Sequence, residues 1–426
     1  MSFQQGLSGL NASSKNLDVI GHNIANSNTV GFKASRAEFA EMVASSIGSS
    51  GGNNAGIGVE VANVSQQFTQ GSLTITGNSL DVAINGNGFF TLSQPDGTAA
   101  YTRSGNFKLD KEGHMITNDN ARVMGYPVDS TTGLRMGSTP IPMVFPTGEP
   151  IPAKQTTSIT AMFNLDARAT DAAGDPVAIP PIPATPRASY GTSINVFDSQ
   201  GVAKPVNLYF QKTATANTWD VYDTLDDPAA LPPVVATAIG QITFDNNGVI
   251  TGPVAVAPAT GFSLPVTINP TPPNPNGLPT YNVDVKLDGV TQFGKKFAVS
   301  ALNQDGYTSG ELTGINVENS GMIMTRYSNG VTRSEGQLAL SSFRNTQGLA
   351  PVGSNNWVAT FESGQPVVGT PTDGNFGSLR SGALEDSNVD LTAELVNMMT
   401  AQRAYQANAQ TIKTQDQIMS TLVNLR

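Results

Sequence analysis

Apolar residues near the N-terminus, Phe3, Leu7, Leu10, Leu17, Ile20 and Ile24, recur at intervals of three, four and seven. That spacing sets side chains on one face of a helix. The polar run Asn26-Ser27-Asn28-Thr29-Val30-Gly31 then predicts where the helix stops. At the other end, Leu391, Leu395, Met398, Gln402, Tyr405, Ala409, Ile412, Asp416, Met419 and Val423 alternate four and three apart. Interrupted by polar Gln402 and Asp416, this reads as a coiled-coil-like seam of about five heptads. Ser387-Asn388-Val389-Asp390 fits a capping-box start, and the run to Leu425 predicts a helix roughly 50 Å long.

Between the ends the period changes from helical to two. Leu80-Asp81-Val82-Ala83-Ile84, Val283-Asp284-Val285-Lys286-Leu287 and Phe297-Ala298-Val299 predict short strands. An apolar residue, then Asp, then Gly three positions later recurs at Leu109-Asp110 to Gly113, Phe197-Asp198 to Gly201 and Phe244-Asp245 to Gly248. Each predicts a hairpin turn, because Asp accepts from amides just ahead of it and Gly takes the positive φ that other residues avoid.

Proline sharpens the division of the chain. Most of the 27 prolines lie between Pro140 and Pro279, none precedes Pro95 and none follows Pro371, so both ends are free to be helical. At 426 residues the chain exceeds one ordinary core. The expected architecture is mainly β with helical termini, nested and multidomain. Residues 1–30 and 384–426 form a paired helical domain, 31–70 and 365–383 a connector, and 71–145 with 283–364 a discontinuous inner β domain. Residues 146–282 form an inserted outer β domain of barrel or sandwich type.

Composition narrows the chemistry. With no cysteine, disulfides, thiolate metal sites and thiol nucleophiles are excluded. The net charge of −10 without a Lys/Arg cluster argues against nucleic acid and against a polybasic membrane anchor. The N-terminus lacks the basic and apolar regions of a cleaved signal, and no run of about 18 apolar residues predicts a spanning helix. Only two histidines occur, His22 and His114, and both read as structural.

Motif matches fail on context. Gly48-Ser49-Ser50-Gly51-Gly52 spells a nucleophile elbow but lacks the strand and helix that would frame it. Gly289 to Lys295 begins like a phosphate-binding loop, yet Lys296 replaces the magnesium-holding Ser/Thr and strands flank it. Asp245-Asn246-Asn247-Gly248 lacks the closing Glu of a calcium loop. The adjacent carboxylates Asp226-Asp227 and Glu385-Asp386 offer no reason to expect glycoside hydrolysis. No catalytic, cofactor or metal site is expected.

At its ends the sequence resembles the bacterial flagellar rod and hook family of axial proteins. The N-terminal resemblance rests on Asn23-Ile24-Ala25-Asn26-Ser27-Asn28-Thr29-Val30-Gly31-Phe32-Lys33, followed by Ser35-Arg36-Ala37-Glu38-Phe39. The C-terminal one rests on Gly382-Ala383-Leu384-Glu385-Asp386-Ser387-Asn388-Val389-Asp390-Leu391, continuing through Gln402-Arg403-Ala404-Tyr405 to Leu422-Val423-Asn424-Leu425. Gln70-Gly71-Ser72-Leu73 and Tyr101 to Phe107 also look like the family. The resemblance implies a non-enzymatic subunit of an extracellular, self-assembled tube, with the 146–282 insert pointing to the flexible hook rather than the straight rod. A distal rod or hook-associated subunit is the nearer alternative, and a secreted β-rich enzyme or carbohydrate-binding module the farther one. It further implies that Leu7, Leu10, Leu17, Ile24, Leu391, Leu395, Met398, Tyr405, Ile412, Met419 and Leu422 bury between subunits. The partners implied are copies of itself, a distal rod protein, a hook cap, hook–filament junction proteins and the flagellar type III export apparatus, with no nucleic acid and no membrane insertion.

Overall fold

The computed structural model describes residues 2–43, 56–130, 132–146, 150–227, 235–255, 260–269 and 278–424. The chain divides into two units: Met1–Gly148, Thr313–Arg326 and Thr332–Arg426 form one, and Glu149–Leu312 with Tyr327–Val331 form the other.

The first unit begins with helix α1 (Ser2–Ala25), then strands β1 (Ser35–Val43) and β2 (Gly56–Gln66), which pair as an antiparallel hairpin. It ends with helix α2 (Leu391–Asn424), 34 residues and therefore about 50 Å long. Between these elements, a sheet whose longest hydrogen-bonded path holds eight strands runs from Leu312–Val317 at one end to Ala350–Gly353 at the other. Phe89, Tyr101, Phe343, Leu349 and Trp357 pack as one aromatic cluster, with ring centroids 4.7–6.0 Å apart in edge-to-face pairs.

The start of α2 differs from expectation. Its N-cap is Asp390, whose Oδ1 accepts from the amides of Thr392 (2.9 Å) and Ala393 (3.1 Å), and Glu394 lies in its first turn. Ser387 does not cap the helix, because its hydroxyl accepts from Val389 N within a local turn, while Asn388 ties this stretch to the backbone just before β1 and just after β2.

Among its described residues, the second unit contains two five-stranded sheets that share one core. Strand Ser158–Asp166 shows why: Ile159, Ala161, Phe163 and Leu165 are buried, alternating with more exposed Thr160 and Met162, the period of a half-buried strand. It pairs with Tyr281–Lys286 and Thr291–Phe293 in parallel and with Ala298–Gln304 antiparallel. That sheet therefore continues past residue 282, the expected limit of the insert. Trp219 is fully buried and donates to Gln292 Oε1 at 3.1 Å.

All three Asp/Gly signals are turns of one design. In each, Asp Oδ1 accepts from the amides two and four residues on, from Glu112 and His114, from Gln200 and Val202, and from Asn247 and Val249. Gly113, Gly201 and Gly248 sit at φ +85°, +79° and +77°. The amides of Val249 and Asn247 hold the Asp245 carboxyl below its usual pKa.

Candidate assembly helices and their buried anchor

α1 and α2 pack antiparallel within the first unit: a Cβ at Gly6 would lie 3.2 Å from Ile412 Cγ1, and one at Gly9 2.8 Å from Asn408 Nδ2. Without side chains at these two glycines, the Ile412 and Asn408 side chains seat directly on the α1 backbone. Among the described side chains, Gly6, Ala12, Ile20 and Ala401 are the helical positions, besides Asn23, that are buried. Around buried Ala401, the half-buried positions on α2 are Glu394, Met398, Asn408, Ala409, Ile412 and Gln415, which overlap the apolar stripe only in part. Leu391, Leu395 and Met419 remain 46%, 47% and 61% exposed, and Leu7 and Tyr405 are also exposed. Leu10, Leu17, Ile24, Met398 and Ile412 are half-buried. The side chain of Leu422 lies outside the described residues.

The roots of both helices are pinned by the end motifs. Asn23, buried, donates to Ser35 O and accepts from Ser35 N, both at 2.8 Å, so its amide imitates a strand partner for the start of β1. Asn26 donates to His22 O and accepts from the Thr29 hydroxyl, turning the chain out of α1. Asn28 is exposed. Phe32 is buried with its ring edge-on to His22 at 5.4 Å. On the other root, Asn388 accepts from Ala34 N (2.7 Å) and donates to Gln67 O (2.7 Å).

Beneath these contacts lies a charge cluster that joins three distant motifs. Glu385, fully buried, accepts from Lys33 Nζ on Oε1 (2.5 Å) and from an Arg103 guanidinium nitrogen on Oε2 (3.1 Å). Gly71 N also donates to Oε1 (3.0 Å), Lys33 donates to Thr69 O (2.8 Å) and Arg103 to Gly86 O (2.9 Å). Burial pushes the Lys33 ammonium and the Arg103 guanidinium below their ordinary pKa values, and the charge of Glu385 opposes that shift in both. The Arg103 guanidinium lies 5.3 Å from the centroid of the Phe89 ring, which links the cluster to the aromatic core.

Gly31 completes the anchor. Its φ is +71°, its amide donates to Glu385 O (2.8 Å), and a Cβ there would meet Ser104 N at 2.6 Å and Arg103 C at 2.8 Å. Both obstacles are backbone. Gly31→Ala is expected to destabilise the first unit by about 1–3 kcal/mol through strain alone, read as a lower unfolding midpoint.

Other candidates resolve simply. Gly48 to Gly52 lie outside the described residues. Residues 289–295 connect and form strand, with Val290 N bonded to Leu287 O and Thr291–Phe293 following. His114 Nδ1 is 3.2 Å from Asp110 Oδ2 beside Glu112, at the first Asp/Gly turn. Asp226 accepts from Ala236 N. Among the described residues, no helix is long and apolar enough to cross a membrane.

Four family models match in chain order: Flagella basal body rod protein at 3–33, Flagellar hook protein FlgE/F/G D1 domain at 83–161, Flagellar basal body protein FlaE D2 domain at 164–307 and Flagellar basal body rod FlgEFG protein C-terminal at 380–425. The chain is 42% identical over 431 residues to the flagellar hook protein FlgE of Salmonella typhimurium, covering 100% of both chains. It is 42% identical over 433 residues to FlgE of Escherichia coli, again covering all of each. A crystal structure of Helicobacter pylori flagellar hook protein FlgE2 shares the fold, with a TM-score of 0.53 at 15% identity over 73% of this chain and 100% of that one.

Proposed function

This chain belongs to the flagellar hook protein family, and from that membership we propose that it is a structural subunit of the hook, polymerising with its own copies in the flagellar axial structure. The observation that carries the mechanism is the terminal helix pair. α2 holds four charged residues in 34, and large apolar side chains at 391, 395 and 419 stay open to water after α1 has packed. A lone surface helix of this composition gains little from exposure and more from burial on several sides.

In this reading, Leu7, Leu10, Leu17, Ile24, Leu391, Leu395, Met398, Tyr405, Ile412, Met419 and Leu422 close the inner wall of a tube, and the β-rich regions, including the unit 149–312, form outer layers. Contacts that repeat head to tail without closing generate a helix rather than a ring. The tube is flexible and curved, works outside the cell as a joint between rod and filament, and catalyses nothing. The distal rod protein, the hook cap, the junction proteins and the export apparatus are its partners. Electron microscopy of the concentrated full-length chain tests the reading: tubes support it, and globular particles alone at every concentration refute it.

A further inference from the structure

The first Asp/Gly turn holds more than a turn requires. Asp110, Glu112 and His114 bring three metal-ligating atoms within 4.8 Å of one another, a grouping that occurs nowhere else among the described residues. Each atom is the one its residue has left over. Asp110 Oδ1 is taken by the amides of Glu112 and His114, which leaves Oδ2 facing His114 Nδ1 at 3.2 Å. Glu112 turns Oε1 toward Lys111 Nζ (4.0 Å) and Oε2 toward the same imidazole nitrogen (3.8 Å). Taken alone, the 3.2 Å contact is an ordinary hydrogen bond; the convergence of a second carboxylate on it is not explained by the turn.

The two sister turns show what the design needs. Those at Asp198 and Asp245 make the same pair of amide bonds to Oδ1 and keep the same positive-φ glycine, yet they carry Gln200 and Val202, or Asn247 and Val249, where the first carries Glu112 and His114. The turn therefore forms without a carboxylate or an imidazole at either place. Distances fit an ion as well. A divalent metal bonded at about 2.0–2.2 Å holds adjacent ligand atoms roughly 2.8–3.6 Å apart, across the range from octahedral to tetrahedral angles. The Asp110–His114 edge already has that length, and Glu112, whose side chain is 58% exposed, is free to close the other. Beneath them the backbone is fixed, because Phe145 N donates to Gly113 O (2.8 Å) and Met115 N to Met143 O (3.1 Å).

We propose that Asp110 Oδ2, Glu112 Oε2 and His114 Nδ1 form a divalent-metal site of the Zn²⁺ class, with water completing the coordination sphere. One imidazole among carboxylates suits Zn²⁺ over Mg²⁺ and Ca²⁺, which take oxygen ligands. Bound there, the ion cross-links the start, middle and end of a turn that joins the short strands Lys108–Leu109 and Met115–Ile116. The site belongs to the single subunit and is independent of assembly.

The sister turns also supply variants that keep the turn: E112Q and H114V put in place what the Asp198 turn already holds. Titration calorimetry of the full-length chain with ZnCl₂ at neutral pH is expected to show one saturable site in the micromolar range. Each single variant is expected to weaken it on the order of 10-fold or more, and the double variant to lose it. Electron paramagnetic resonance of the chain with Cu²⁺ as probe is expected to show nitrogen coupling from one imidazole, absent in H114V. No saturable Zn²⁺ site in the unmodified chain, equal affinity in the double variant, or nitrogen coupling that survives H114V overturns the site.

Discussion

Replacing Glu385 with Gln is expected to lower the unfolding free energy of the first unit by about 3–5 kcal/mol, the usual consequence of removing one partner from a buried ion pair. Gln keeps the shape but leaves Lys33 and Arg103 buried without a counter-charge. The penalty is the desolvation of two cations, which hydrogen bonds to Thr69 O and Gly86 O only partly offset. A clean reporter exists, because the chain's two tryptophans fall one in each unit, Trp357 in the first and Trp219 in the second. Urea unfolding followed through Trp357 in a Trp219→Phe background should show the midpoint drop, while in the Trp357→Phe background the Trp219 transition stays in place. Equal shifts at both tryptophans would mean that the cluster is not a local anchor.

Carrying Leu395→Asp and Met419→Asp together is expected to abolish tube formation and leave both units folded. Each side chain is about half exposed in the subunit, so the charge meets water there at little cost. In a closed helical wall the same carboxylates lose their water without gaining a partner, at several kcal/mol each, a cost repeated at every subunit added. Sedimentation and electron microscopy read the assembly, and the two tryptophan transitions read the fold. Tubes of normal yield from the double variant would remove these positions from the wall.

Much of the fold is legible in local pattern, because local physics dictates it. The three- and four-residue spacing gives both terminal helices, and the Asp-to-Gly spacing gives three turns whose hydrogen bonds are the same in each. The capping of α2 is harder to read, since Ser387 and Asp390 both satisfy the sequence rule and only Asp390 has its carboxylate turned onto the amides of the first turn. Proline density marks loops rather than pairing, and so does not register that Ser158–Asp166 recruits strands as late as Gln304.

The anchor is the least legible part. Lys33, Arg103 and Glu385 stand far apart in the chain, and adjacent Glu385-Asp386 reads by itself as an acidic pair. A signal was nevertheless present: in a chain with only 13% charged residues, each of the three falls inside a separate family-like motif. The helix seam is legible in period but not in phase. Glycines at 6 and 9 draw α1 toward Asn408 and Ile412, which turns Leu395 and Met419 outward.

That outward turn is the feature on which assembly depends, and imaging tests it directly. The purified full-length chain should be concentrated beside a chain shortened to residues 31–387 and both viewed by electron microscopy. Tubes from the full-length chain alone are expected; tubes from the shortened chain would contradict a polymer built through its terminal helices.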